Sequence, residues 1–271
     1  MTAPADLATI GVIGGTGLYQ FLESADEIAV ETPYGPPSDP LVVGKVAGHR
    51  VAFVPRHGRD HRFPPHRIPY RANLWALRSI GVRRVLAPSA VGSLTASYGP
   101  GTLAVPDQLV DRTTGRAQTF YDQGEAVHVQ FADPYCPVGR TQALAAAQAA
   151  GWTPVRSGVL VIIDGPRFST RAESRWYAAQ GWTLIGMTGH PEAVLARELA
   201  LCYTTIALVT DTDAGVDEGE GVTQAEVFRV FSQNMGRLRE VLMKIIEGLP
   251  EERDCPCPHV LDGLKLPISL P

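Results

Sequence analysis

The chain has 271 residues, of which 45% are hydrophobic and 19% charged, a composition that excludes a disordered, collagenous or coiled-coil protein. Its 24 basic and 28 acidic side chains give a net charge of −4, which argues against a nucleic-acid-binding surface. The sequence contains neither an apolar run of about 18 residues nor a signal-peptide pattern at its start. No membrane association is therefore predicted, and we expect a cytoplasmic protein.

Apolar segments alternate with helical patterns along the chain. Strands are predicted, in chain order, at 8–13, 40–46, 50–54, 84–87, 158–163 and 204–209. Helices are predicted at 65–80, 138–150, 171–180, 191–200 and 223–248, the last with Thr223 as its N-cap and Gly248 at its end. The alternation predicts an α/β fold with a mixed central sheet flanked by helices. Because no repeat or linker interrupts it, we expect one domain over residues 1–271, with a proline-rich tail at about 249–271 packed on the surface or on a neighbouring subunit.

Four groups of polar or glycine-rich segments follow predicted strands, where α/β folds place their ligands. Residues 14–17 bring backbone N–H groups and the Thr16 hydroxyl close to an anion, but they match neither the P-loop nor the dinucleotide fingerprint. Residues 56–61 carry two arginines and two histidines, and a guanidinium can bind phosphate through two parallel hydrogen bonds. Residues 89–93 are interpreted as an anion-binding nest. A structural turn or a solvated loop is the alternative for each.

The fourth group combines an aromatic ring, small polar residues and two acids. Phe168 can stack on a planar base, and Met187 can cover the face of a sugar. Asp211 and Asp213, two residues apart after an apolar strand, can point to one face and hold a proton for a leaving group. A helix cap or a metal site is the alternative. Because no third carboxylate stands at ligand spacing, no metal is predicted.

The four cysteines, at 136, 202, 255 and 257, are too few for a disulfide scaffold. Cys255 and Cys257 are separated by one residue, whereas zinc ribbons use two to four. His259 is near, but the sequence shows no fourth ligand. The pair is therefore interpreted as incidental thiols, with a local redox pair or disulfide as the alternative.

Many motifs, in the same order, resemble the methylthioadenosine phosphorylases of the trimeric purine nucleoside phosphorylase family. They are GGTG at 14–17, RHGR at 56–59, NLWAL at 73–77, GSL at 92–94, DRT at 111–113, GPRFS at 165–169, RAES at 171–174, MT at 187–188, PE at 191–192 and DxD at 211–213. The resemblance extends over residues 10–242. It implies a nucleoside phosphorylase fold, a homotrimer (a hexamer in some members) with active sites at subunit interfaces, and no cofactor besides phosphate as co-substrate. Cys136 and Cys202 also match family positions.

The resemblance assigns residues to the parts of one site. The phosphate-binding residues are Thr16, Arg56, His57, Ser89, Ala90 and Thr188. The nucleoside-binding residues are Phe168, Ser169, Asp211 and Asp213 at the base, Met187 at the ribose, Thr188 as a further substrate contact, and Gln224, Val227, Phe228 and the neighbouring subunit's equivalent of His128 at the 5′ group. In this interpretation Asp211, Asp213 and His57 are catalytic. Phosphate attacks C1′, Asp211 donates a proton to N7 of the leaving purine, and Asp213 accepts from a 6-amino group.

The implied reaction is phosphorolysis of 5′-methylthioadenosine, which serves purine and methionine salvage. The alternatives are a phosphorylase of 6-oxopurine nucleosides (inosine, guanosine or methylthioinosine) or of another 5′-modified adenosine. Gly186 replaces an asparagine of the animal enzymes, which favours the 6-oxopurine alternative. Gln224 either favours a polar 5′ group or is an exposed residue of the first helical turn. A nucleoside sensor needs no phosphate site, and a dinucleotide-dependent oxidoreductase lacks its fingerprint here. Residues 216–221, rich in glycine and acids, predict a mobile lid.

Overall fold

The architecture was obtained as a computed structural model that describes residues 7–15, 22–216 and 221–271. The described strands are β1 (Ile10–Gly14), β2 (Glu23–Ile28), β3 (Leu41–Val46), β4 (His49–Pro55), β5 (Arg84–Ser93), β6 (Leu103–Ala104), β7 (Gln108–Arg112), β8 (Val159–Ile163), β9 (Leu184–Gly186) and β10 (Cys202–Thr212). The described helices are α1 (Tyr70–Ser79), α2 (Pro137–Ala149), α3 (Arg171–Ala179), α4 (Gly189–Glu198) and α5 (Gln224–Gly248). Short 3-10 turns occupy Pro65–Arg67 and Cys257–His259.

The described strands form one mixed sheet in the order β2-β3-β4-β1-β5-β9-β8-β7, with β10 pairing with both β5 and β6. Strand β1 is parallel to β4 and β5, β10 is parallel to β5, and β8 is parallel to β7 and β9. The pairs β2–β3, β3–β4, β5–β9 and β6–β10 are antiparallel. The predicted mixed α/β sheet is confirmed.

Apolar side chains alternate between the two faces of the central strands and form two cores. In β1, Ile10 and Val12 pack with residues of α2 and α5, whereas Ile13 packs with residues of α1 and α4. Both faces of these strands are therefore covered, and such strands are apolar at successive positions. This is why the sequence pattern identified the central strands.

Two predicted elements differ from the structure. The helix predicted at 65–80 is divided, because Ile68 precedes Pro69 and takes an extended conformation (ψ 133°), so α1 begins only at Tyr70. Residues 89–93, predicted as a nest, continue β5 and pair with β10. Strands β2, β6, β7 and β9 were not predicted, because they are short or carry charged residues. Thr223 caps α5 as predicted, accepting from the backbone N–H of Glu226 at 3.3 Å.

The C-terminal tail packs on its own chain. Arg84 Nη2 donates to three tail carbonyl oxygens, those of Pro250, Glu251 and Glu252, at 2.6, 3.0 and 2.8 Å. Further along, Leu266, Ile268 and Leu270 pack against the core that contains α1 and α4. Within the described ranges, every helix falls short of the length or apolarity that a bilayer span requires.

Candidate active site

A cavity of about 650 Å³ opens where β5 changes its sheet partner. Residues 84–86 of β5 pair with β1, whereas Gly92 and Ser93 pair with β9. Ser89 and Ala90 lie between these two pairings and line the cavity. Crevices of this kind, where the strand order changes, are the usual ligand sites of open α/β sheets.

The cavity brings together most of the residues predicted for the site. Its lining includes Arg56, His57, Ser89, Ala90, Phe168, Ser169, Met187, Thr188, Asp211, Asp213, Gln224, Val227 and Phe228. Thr16 and residues 217–220 of the predicted lid lie outside the described residues. His128 is exposed and does not line the cavity of its own chain, so it belongs to the site only through the predicted neighbouring subunit.

Asp211 and Asp213 reach the cavity through an irregularity in β10. The register with β5 shifts between Val209 and Asp211, so that Asp211 stands opposite Gly92. Such β-bulges turn side chains and are common beside active sites. A side chain at Gly92 would place its Cβ 2.8 Å from Asp211 Oδ2 and 2.9 Å from Ile185 Cγ2. Glycine at this position therefore leaves the space that the carboxylate occupies.

Both carboxylates have the properties of ligand-binding acids. Burial raises the pKa of Asp211 to about 6, the Thr210 hydroxyl at 2.8 Å opposes this effect, and the charge of Asp213 adds to it. Burial also raises the pKa of Asp213, although the hydroxyls of Ser174 and Ser169 favour its charged form. Asp213 is 3% exposed, and although both hydroxyls lie near it, neither completes a hydrogen bond, so its Oδ2 has no partner among the described residues. Leaving a buried acceptor unpaired costs about 1–3 kcal/mol, so a donor on a ligand is expected there.

The Arg56 guanidinium binds a protein carboxylate. Its Nε and Nη2 donate to the two Glu192 oxygens at 2.5 and 3.0 Å, and its Nη2 and Nη1 also donate to the carbonyls of Ile13 and Pro88 at 3.0 and 3.1 Å. Burial acts to lower the pKa of Arg56, but the Glu192 carboxylate outweighs this effect and raises the pKa. Four of its five N–H groups thus have protein acceptors. The pair of parallel hydrogen bonds predicted for phosphate is made to Glu192, which the sequence analysis did not assign to the site.

His57 is held as a neutral ring. Its Nδ1 lies 2.8 Å from the Phe63 carbonyl, which can only accept, so Nδ1 carries the proton. The ring stacks on His61, with 4.4 Å between the ring centroids. Burial lowers the pKa of His57 to about 4. The positive charge of Arg56 lowers this pKa further, whereas the hydrogen bond to Phe63 raises it. At neutral pH its Nε2 is therefore an acceptor, suited to the O–H of a phosphate.

Arg116 joins two of the loops that carry predicted site residues, and the sequence analysis missed it. Its Nη atoms donate at 2.5 to 3.2 Å to four carbonyl oxygens, those of Ile163, Asp164, Met187 and His190. The side chain is 2% exposed. It thereby fixes the loops after β8 and β9, which bear Phe168 and Thr188. No sequence signal identified it, because its partners are backbone atoms of distant segments.

One wall of the cavity is a face of α5. Its lining residues are Gln224, Val227, Phe228, Phe231, Ser232 and Met235. Their spacing of three or four residues is that of one helix face. The first three of these residues were predicted from the sequence. Phe231 and Met235 follow at the same spacing, so the periodicity that predicted the helix could have identified them.

Residues 9–247 match the family model described as the phosphorylase superfamily. The purine nucleoside phosphorylase of Streptomyces coelicolor is 60% identical over 97% of this chain and 98% of its own length. The S-methyl-5′-thioadenosine phosphorylase of Mycolicibacterium smegmatis is 56% identical over 97% of this chain and 99% of its own. The solved structure of methylthioadenosine phosphorylase from Schistosoma mansoni in complex with adenine has a TM-score of 0.86, at 35% identity over 91% of this chain and 93% of that one.

The family match and the geometry support each other. The match covers the strands whose ends surround the cavity, from β1 to β10, and most of α5. The relatives and the solved structure extend over nearly the whole chain. This chain therefore belongs to the phosphorylase superfamily, whose members here are purine nucleoside and methylthioadenosine phosphorylases.

Proposed function

We propose that this enzyme cleaves 5′-methylthioadenosine with inorganic phosphate, releasing adenine and 5-methylthioribose 1-phosphate. The proposal depends chiefly on one observation: a single cavity combines the buried Asp211 and Asp213 carboxylates with an apolar wall on α5. The carboxylates suit a 6-aminopurine, and the apolar wall suits a methylthio group. The relatives named as methylthioadenosine phosphorylases support the same reaction.

Asp211 and Asp213 have different roles at the purine base. Asp213 Oδ2, unpartnered in the described structure, accepts a hydrogen bond from the 6-amino group. Asp211, with a pKa of about 6, is protonated in roughly a tenth of the molecules at pH 7 and donates to N7. As the C1′–N9 bond breaks, its electron pair moves into the purine, and the proton on N7 neutralises that charge. General acid catalysis of this kind is worth about 10²–10⁴ in rate.

Phosphate binds where the ends of β1, β4 and β9 approach the middle of β5. Thr188 lines the cavity and its side chain makes no cap hydrogen bond with α4, so its hydroxyl can donate to an anion. The neutral His57 accepts the P–OH hydrogen through Nε2. Ser89, Ala90 and Thr16 complete the proposed site, and Arg56 adds its remaining N–H. The phosphate oxygen then attacks C1′ opposite the departing base and inverts that carbon.

A 6-oxopurine nucleoside phosphorylase is the second candidate. The 60% identity with the Streptomyces coelicolor purine nucleoside phosphorylase favours it, as does Gly186 in the cavity wall. A 6-oxopurine, however, presents an acceptor at position 6 toward carboxylates that only accept when ionised. An unpaired buried acceptor costs about 1–3 kcal/mol, so the described acids favour the 6-amino compound.

We further propose that the active enzyme is a homotrimer in which His128 of one subunit completes the 5′ pocket of the next. His128 is exposed on its own chain. Phe228 lines the cavity and is 47% exposed in the single chain, which is unusual for a large apolar side chain beside a ligand. A neighbouring subunit over this edge would cover it.

Base release measured by chromatography tests the proposed function. The substrates are 5′-methylthioadenosine, adenosine, methylthioinosine and inosine, each with and without phosphate. We expect phosphate-dependent adenine release, with the highest kcat/KM for 5′-methylthioadenosine. Activity confined to the inosine compounds would replace the first candidate by the second. No base release from any of the four would reject both.

A further inference from the structure

All four cysteines of the chain meet at the end of β10 that is remote from the cavity. Cys202 begins this strand, Cys136 is the N-cap of α2, and Cys255 and Cys257 belong to the C-terminal tail. Their four Sγ atoms all lie within 4.8 Å of one another. Cys136, Cys202 and Cys257 are buried, and Cys255 is half-buried. The strand separates this cluster from Asp211 by about 30 Å at the usual rise per residue.

The four sulfurs are close enough together to bind one metal ion. Four sulfurs bound to zinc at about 2.3 Å lie about 3.8 Å apart. The Cys202 and Cys255 sulfurs are 3.5 Å apart, and all four cysteines are free thiols. A disulfide would bring two of these sulfurs to about 2.0 Å of each other. From this geometry we propose that Cys136, Cys202, Cys255 and Cys257 bind one structural zinc ion.

The surroundings suit the charge of such a complex. Binding of Zn²⁺ releases the four thiol protons and leaves a tetrathiolate centre with a net charge of −2. Arg253 Nε donates to Cys202 Sγ at 3.4 Å, and the backbone N–H of Gly139, in the first turn of α2, donates to Cys136 Sγ at 3.4 Å. A guanidinium and a helix N-terminus both stabilise negative charge on the sulfurs. Arg253 is itself held by the Ala200 carbonyl at 2.5 Å.

The proposed site differs from the sequence-based prediction that the chain binds no metal. That prediction was made because no third carboxylate accompanies Asp211 and Asp213, and because no fourth ligand was evident near Cys255 and Cys257. The fold supplies two more ligands from the start of β10 and from α2. A closed set of four thiolates leaves no position for substrate, so the zinc is structural rather than catalytic. Its function is to fix the tail, whose later residues pack on the main core.

Metal analysis of the full chain, purified with a thiol reductant and without added metal, tests the proposal. We expect inductively coupled plasma mass spectrometry to find one zinc per chain. A mercurial should react with four thiols per chain and release this zinc. Replacement by Co²⁺ should give the intense visible and thiolate charge-transfer bands of a tetrahedral sulfur site. Purified protein that holds no zinc, with its cysteines as four reduced thiols or as two disulfides, would overturn the proposal. A reduced protein that gives no such Co²⁺ spectrum would also overturn it.

A double variant tests whether the proposed zinc site stabilises the folded protein. Cys255→Ser with Cys257→Ser should lose zinc and lower Tm by roughly 5 °C or more. The matched control His259→Ala removes an exposed neighbouring side chain and should retain the metal. A double variant that still binds one zinc would contradict the assignment. If it does not fold, the Co²⁺ spectrum of the wild-type chain decides. None of these measurements depends on the proposed catalytic function.

Discussion

Asp211 is the residue on which the proposed chemistry depends most, because its carboxyl group must carry a proton near neutral pH. Its pKa of about 6 lies above the ordinary value of 3.8, chiefly through burial. The protonated form is the general acid, and it is lost as the pH rises above 6. We therefore expect kcat/KM for 5′-methylthioadenosine to fall by up to tenfold per pH unit above that value.

The Asp211→Asn variant tests this assignment. An amide can donate a hydrogen bond to N7 but cannot transfer a proton, so kcat should fall about 10²–10⁴-fold. The descending limb assigned to Asp211 should disappear, while the titration of phosphate affects both proteins alike. The ratio of activity on methylthioinosine to that on 5′-methylthioadenosine should rise. Glu247→Gln, an exposed change on α5, is the control. An unchanged rate and pH profile in Asp211→Asn would refute the role of this acid.

Gly92 provides a second prediction at the residue scale. The added methyl group of Gly92→Ala would lie 2.8 Å from Asp211 Oδ2 and 2.9 Å from Ile185 Cγ2, so the carboxylate must move. We expect at least a tenfold loss of kcat/KM and a destabilisation of about 1–3 kcal/mol. Gly99→Ala is the matched control, because its chain neighbours apart, no described residue has a heavy atom within 4 Å of its Cβ position. Wild-type kinetics in Gly92→Ala would show that the bulge does not position Asp211.

At the scale of elements, the sequence predicted what local patterns determine. The central strands are apolar on both faces, and α5 has a regular apolar face with a threonine cap, so both were found. The extension of β5 was missed because Pro88, Ser89 and Gly92 are typical of turns, and only the pairing with β10 makes this segment a strand. The binding of Arg56 by Glu192 joins residues 136 positions apart. No local pattern contains such a contact.

In the proposed arrangement, the apolar face of α5 contacts the 5′ group of the nucleoside. Phe231→Ala removes a half-buried ring from this wall and should weaken binding of the methylthio group. We expect kcat/KM for 5′-methylthioadenosine to fall about tenfold more than kcat/KM for adenosine, since an apolar pocket contact is worth about 1–3 kcal/mol. Met243→Ala, on the same helix but 41% exposed and outside the cavity lining, is the control. An equal loss on both substrates would mean that α5 does not contact the 5′ group.

At the scale of the whole molecule, the proposed trimer makes the site dependent on assembly. Light scattering during size-exclusion chromatography should give three times the chain mass, or six times for a hexamer. His128→Ala should raise KM for the nucleoside several-fold while KM for phosphate stays unchanged, because the side chain contacts only the 5′ group in this arrangement. A fully active monomer would contradict the proposal, and so would a variant with unchanged nucleoside KM.

The β10 strand links two different parts of the molecule. Its carboxyl end carries the proposed proton donor, and its amino end carries a cysteine of the proposed zinc site. Since no cysteine lines the cavity among the described residues, loss of zinc should change stability before it changes turnover. The two proposals can therefore fail independently.

The central claim is that phosphate, and not water, receives the sugar. The most direct test quantifies adenine, inorganic phosphate and sugar 1-phosphate in one reaction with 5′-methylthioadenosine. We predict that each adenine released corresponds to one phosphate consumed and one 5-methylthioribose 1-phosphate formed, with no release in phosphate-free buffer. Adenine release at an equal rate without phosphate, with free 5-methylthioribose as the product, would contradict the proposed mechanism.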